Sequence, residues 1–136
     1  MPEQFTAPWA EAVCAALNAS DAYREAGAGW DGALAFVAEP GGPLAAARSV
    51  WLDLGGGACA GALAGPDAEA AEAPFTIAAP YPVWADVLAG RQDPILGLML
   101  GKLRLTGSMG TVAAHAAAAK ALVAVAASVE ATAPRG

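Results

Sequence analysis

DPILGLMLGKLRLTGSMG, running from Asp93 to Gly110, is the stretch whose reading decides the fold. Asp93 is a natural N-cap, and Pro94 suits the first helical position, where a missing N–H costs nothing. Ile95, Leu96, Leu98, Met99 and Leu100 then leave almost no polar face. A short helix that is apolar all round needs hydrophobic material on more than one side. That material is either two protein layers, or one protein layer and an apolar ligand. Gly97 within the helix costs about 1 kcal/mol against Ala, which suggests that something needs its missing side chain. After the helix the period changes to two over Leu103 to Thr106, with Leu103 and Leu105 inward and Lys102, Arg104 and Thr106 outward.

Working outward, the C-terminal flank reads as one Ala-rich amphipathic helix with Val112, Ala119, Leu122, Ala126 and Val129 as its stripe. His115 and Lys120 interrupt it and argue against a membrane span. Upstream, Val83 to Gly90 is a helix presenting Val83, Trp84, Val87 and Leu88, and Phe75 to Ala79 is a strand closed by Pro80 and Pro82. A polar Ala-rich loop, Gly65 to Pro74, precedes it. Three strands come earlier: Trp30 to Glu39, Arg48 to Leu54, and the small-residue run Ala58 to Ala64. Gly55, Gly56 and Gly57 supply the turn between the last two. A first helix follows Pro8, with Trp9, Val13, Ala16 and Leu17 at helical spacing. Asn18, Ser20 and Asp21 offer caps for a second segment through Tyr23 and Glu25. The expected class is α+β: a five-stranded, largely antiparallel sheet with helices packed on one face. One domain spans residues 1–136, since no repeat or linker divides the chain.

Composition narrows the function. The net charge is −6, and the seven basic residues are scattered. That excludes a phosphate-neutralising stripe for nucleic acid and argues against docking on anionic membranes. The N-terminus has no apolar signal core, and ATAPRG at the C-terminus carries no peroxisomal tripeptide. Cys14 and Cys59 form no CxxC motif and read as two buried small hydrophobes of a reducing, cytoplasmic compartment.

Catalytic and cofactor signals are weak. His115 is the single histidine and has no companion at metal-ligand spacing, nor any nucleophile paired with it by sequence. It reads as a part-buried histidine near the helix stripe. Asp31 and Asp53 fit the polar face of a half-exposed sheet. Gly97 to Lys102 is one residue short of a phosphate loop, with Leu103 where Ser or Thr would hold magnesium. Gly55 to Gly57 is not followed by a capped helix. No cofactor, metal or enzymatic activity is therefore expected.

Taken together, order and motifs resemble the sterol carrier protein two family of non-specific lipid-transfer proteins. WADVLAG (Trp84 to Gly90) is similar to that family's W-x-x-[IVL]-[IVL]-x-G helix. The stretch from Asp93 to Gly110 is similar to its hallmark of an Asp-Pro start, an apolar helix and G-K-[IL]-[KR]-[IVL]-x-G before a Met. LNAS…YREAG, WDGALAF and WLDL agree more loosely. The resemblance implies a hydrophobic tunnel between sheet and helices that takes fatty acids, acyl-CoAs, sterols or phospholipids. Carried onto this chain, its walls are Phe36, Phe75, Ile77, Trp84, Leu88, Ile95, Leu96, Met99, Leu100, Leu103, Leu105, Met109 and Val112, with His115 at the mouth. The expected partner is thus a hydrophobic small molecule, without nucleic acid or stable membrane insertion. The alternative is a homodimerising accessory module whose pocket is vestigial or filled by its own side chains, with the open sheet face as its dimer surface.

Overall fold

Local chemistry sets the helix boundaries in the computed structural model, which describes residues 1–135. Helix α1 (Ala7–Asn18) begins with a proline in its first turn and buries Trp9, Ala10, Val13 and Leu17 on one stripe. Ser20 caps α2 (Asp21–Ala26) by accepting from the Tyr23 amide. Strands β1 (Leu34–Glu39), β2 (Arg48–Gly55) and β3 (Ala58–Ala64) follow. After them come α3 (Pro66–Ala70), β4 (Phe75–Pro80), α4 (Tyr81–Leu88), α5 (Pro94–Met99) and β5 (Arg104–Thr106). Helices α6 (Met109–Ala114) and α7 (Ala116–Ser128) complete the chain.

The five strands form one sheet in the order β3-β2-β1-β4-β5. Only the central pair, β1 with β4, runs parallel; the other three pairings are antiparallel. Register puts Leu34, Phe36 and Ala38 of β1 level with Leu52, Val50 and Arg48 on one side and with Phe75, Ile77 and Ala79 on the other. These residues share one face because strand side chains alternate. Helices α1, α2, α4, α5 and α7 pack into one layer against that face and against one another. The expected α+β architecture is the one observed.

Three readings of the sequence are corrected. The stretch from Gly65 to Pro74 contains α3, whose Ala68 is buried beside Ala35, Val37 and Ser49 on the opposite sheet face. That face is therefore partly covered, and not every helix lies on one side. The Ala-rich C-terminal helix is two helices. His115 leaves helical geometry at φ −115° and ψ 33°, and its ring stands edge-on to Trp30 with centroids 5.4 Å apart. Asn18 serves β3 rather than capping α2. Its side chain donates to the Cys59 carbonyl and accepts from the Cys59 amide, each at 2.8 Å, beside the irregularity at Asp53 and Leu54.

The cysteines are also corrected. Cys14 and Cys59 form a disulfide, with Cα atoms 5.4 Å apart, which ties α1 to β3 across 45 residues of sequence. In sequence they look like independent apolar residues, because nothing local relates a mid-helix position to a strand so far downstream. The bonded pair also removes the cysteine argument for a reducing compartment.

The glycine that closes the G-K-[IL]-[KR]-[IVL]-x-G motif has a definite job. Gly107 sits at φ +126°, and a Cβ there would lie 2.6 Å from the Pro74 carbonyl oxygen. The chain can pass between β5 and the start of β4 only without a side chain at that point. Gly107→Ala should therefore lower unfolding stability by about 2 kcal/mol or more, measured by urea denaturation. A thiol titration of the urea-unfolded protein should find no free thiol. Reduction should then remove about 4 kcal/mol of stability, on the chain-entropy account of a loop this long.

Candidate functional site: an apolar seam beneath the C-terminal helix

Alanines line the face of α7 that meets the sheet. Ala118, Leu122 and Ala126 are the buried residues of this helix, at i, i+4 and i+8. Alanine keeps the helix at its best propensity but leaves space that a larger side chain would fill. Three small apolar voids result, of about 30, 20 and 30 Å³, and Leu122 borders all three. One extends toward Tyr23, Trp30 and Leu54. A second runs to Phe5, Trp9 and Leu88 under α1 and α4. The third is closed by Pro94, Ile95 and Leu98 of α5 and by Leu103. Together they trace a seam between the sheet and the helical layer.

Aromatic rings frame the seam and are themselves held. Trp84 lines two of the voids, donates through Nε1 to the Val37 carbonyl at 2.9 Å and stands edge-on to Phe36 at 5.6 Å. Trp30 donates to the Gly32 carbonyl at 2.8 Å and tilts against Phe75 at 4.8 Å. With the polar edges of these indoles satisfied by backbone, only their apolar surfaces turn inward. Of the other tryptophans, Trp9 joins the seam, whereas Trp51 lies half-buried on the opposite sheet face and donates to the Glu72 carbonyl at 3.0 Å.

The structure divides the fourteen residues expected around the tunnel. Phe36, Ile77, Trp84, Leu88, Ile95, Leu103 and Val112 border the seam. Phe75 is buried beneath Trp30, Leu105 is half-buried beside Ile77 on β5, and His115 packs on the outer side of Trp30. The other four are corrected: Leu96, Met99, Leu100 and Met109 are exposed, at 48, 71, 61 and 40%. Helix α5 is held edge-on by Gly97. A Cβ there would meet Leu103 Cδ1 at 2.8 Å, and the Gly97 carbonyl accepts from the Lys102 amide at 2.9 Å. That contact turns Ile95 and Leu98 inward and Leu96, Met99 and Leu100 out. The sequence reading missed Leu34, Leu54, Leu98 and the α1 residues. The inward register of Leu34 on β1 and Leu54 on β2 was legible, but which helix would face them was not.

Charge stays outside the seam. Arg104 pairs with Glu39, and Lys102 donates to Gln92 Oε1 at 3.1 Å. Asp93 accepts from the Leu96 and Ile95 amides at 3.0 and 2.8 Å and lies 3.8 Å from the Lys120 ammonium. Among the described residues no group of three His, Cys, Asp or Glu is placed to hold a metal, and no helix is long and apolar enough to cross a membrane.

These features define a class: an α+β domain whose sheet meets a layer of helices across a wholly apolar seam. Similarity to known proteins narrows it further. The chain belongs to the SCP-2 sterol transfer family, whose profile matches residues 11–124. A crystal structure of sterol carrier protein 2 is similar at 43% identity and TM-score 0.85, over 94% of this chain and 100% of that one. A conserved hypothetical protein from Thermus thermophilus, described as possibly sterol carrier protein, is similar at 41% identity and TM-score 0.86, over 100% and 96%. Sterol carrier protein 2 from Yarrowia lipolytica, in its apo form, shares the fold at 16% identity and TM-score 0.59, over 88% and 89%. No curated protein sequence matches the chain.

The Asp93 cap gives a pH test of the seam's α5 wall. The Leu96 amide chiefly, with the Ile95 amide and Lys120, holds the Asp93 carboxyl below the usual carboxylate range. Its contribution is present above the unfolded carboxyl's pKa and is lost as pH falls through the lower folded value. The carbon chemical shift of Asp93 should titrate below the ordinary range, and α5 amide protection should fall through the same interval. Asp93→Asn should keep the cap and abolish that pH dependence.

Proposed function

We propose that this protein binds one extended acyl chain, of a fatty acid or similar lipid, between the sheet and helices α5 and α7, without catalysing a reaction on it. The observation that carries this reading is the convergence of three apolar voids on Leu122, in a member of a sterol transfer family. Voids in a core weaken packing at roughly 24 cal/mol per Å³, so a hydrophobic occupant would recover stabilisation that the protein itself forgoes. At about 20–30 Å³ each the voids are far smaller than the ~300–1,000 Å³ usual for small-molecule sites, so the chain enters by parting α5 and α7 from the sheet along this seam. At ~0.8 kcal/mol per buried CH2, a dozen methylenes would contribute roughly 10 kcal/mol before association costs.

The similarity to sterol carrier protein 2 supports a lipid as the class of ligand, and the seam's chemistry supports its apolar part alone. No charged side chain lines any of the three voids, so a headgroup would sit outside them. Nothing in the seam pairs a base with a nucleophile, which supports sequestration or carriage over chemistry.

Ala119 borders two of the voids from α7, so Ala119→Leu fills space without breaking the helix. This variant should remain folded and bind a fluorescent fatty acid at least tenfold more weakly. Undiminished binding in the folded variant would overturn the seam as the ligand site. Native mass spectrometry followed by organic extraction of freshly purified protein should release lipid at near one per chain. A bare chain mass that takes up no added fatty acid favours the accessory-module reading.

A further inference from the structure

We propose that the Cys14–Cys59 disulfide is a reversible redox lock on one wall of the seam. The bond joins Cys14, midway along α1, to Cys59 on the edge strand β3. Cys14 directly follows Val13, which with Trp9 and Phe5 borders the void beneath α1 and α4. Helices α4, α5 and α7, which complete the walls, are held without a covalent tie, since the chain has no other cysteine. While the bond stands, α1 cannot part from the sheet edge, and this arm of the seam stays shut. Once it is broken, α1 can move as the other walls do.

The surroundings suit both oxidation states. Cys59 is 4% exposed, whereas Cys14 is part-exposed, so an incoming thiolate reaches the pair from the Cys14 side. Each sulfur also lies beside a backbone carbonyl that a thiol can use as acceptor. Cys14 Sγ is 3.4 Å from the Cys59 oxygen, and Cys59 Sγ is 3.3 Å from the Gly61 oxygen. Asn18, one turn beyond Cys14, grips the Cys59 amide and carbonyl at 2.8 Å each, independently of the sulfurs. That clamp keeps the end of α1 on β3 after reduction and holds the two thiols within reach of each other. The lock can therefore close again.

Opening it takes a dithiol as reductant. Its first thiolate attacks Cys14 Sγ, the S–S bond breaks, and Cys59 leaves as a thiolate that takes up a proton. The second thiolate of the reductant then attacks the reductant's own sulfur in the mixed disulfide. Cys14 is released and protonated in turn. The protein gains two electrons and two protons, and the dithiol departs as a disulfide.

This lock deepens the reading above by setting how long an acyl chain the seam admits, and rests on it only for the cargo. In the absence of denaturant, excess dithiothreitol should expose both thiols with the circular dichroism spectrum retained, and reoxidation should remove them. A bond reduced only in unfolded protein, or a reduced protein that unfolds, would overturn the proposal. In hydrogen exchange, reduction should cost the α1 amides at least tenfold more protection than those of β1 or α4. Cys14→Ser combined with Cys59→Ser should behave like the reduced parent. An equal loss throughout the chain would mean that the bond adds stability alone, and overturns the lock. Preference for stearic over lauric acid should rise at least tenfold on reduction, and an unchanged preference in protein that binds both would overturn the control of chain length. If neither acid binds while α1 loosens selectively, the lipid reading fails and the lock on α1 stands.

Discussion

A helix made largely of alanine cannot fill the space above a sheet face made of Leu34, Phe36, Leu52, Leu54 and Ile77. Everything distinctive about the interior follows from that mismatch between α7 and the strands beneath it. The sheet's inner residues are large and inward by register, while the helix offers Ala118, Ala119 and Ala126 around a single Leu122. With alanines there, three small voids remain around Leu122 in the seam. The surrounding helices then act as its walls, each held in place by something outside the seam.

Those supports are polar and peripheral. Asp93 caps α5, Ser108 caps α6 by accepting from the Thr111 amide, and Asn18 with the Cys14–Cys59 bond fastens α1 to β3. The indoles of Trp30 and Trp84 are tied to strand or loop carbonyls. Hydrogen bonds and the disulfide thus secure the rim, which leaves the interior free of polar groups that would need partners. The division suits a site whose occupant is recognised by its apolar surface alone.

Much of this was legible in the chain. Alternation over Leu103 to Thr106, the Asp93-Pro94 helix start and the glycine turn at residues 55–57 each carry their own local signal, and each element lies where that signal puts it. The seam was legible in part, because Phe36, Ile77, Trp84 and Val112 sit on strand or helix faces whose direction follows from periodicity. Leu96, Met99 and Leu100 look like wall residues in sequence because α5 is apolar all round, so no pattern tells one side from the other. The break at His115 was equally silent, since alanine on both sides favours helix throughout and only Trp30, from a distant segment, occupies the ring.

The sequence by itself determined the α+β class, the order of the five strands, and the apolar character of the faces between the layers, because those rest on periodicity and capping within a few residues. Tertiary structure decided which face of α5 looks inward, that Cys14 meets Cys59, and where the seam runs. These depend on distances between segments tens of residues apart. Leu103 against Gly97 turns one helix, Asn18 against Cys59 anchors another, and no local pattern encodes either approach.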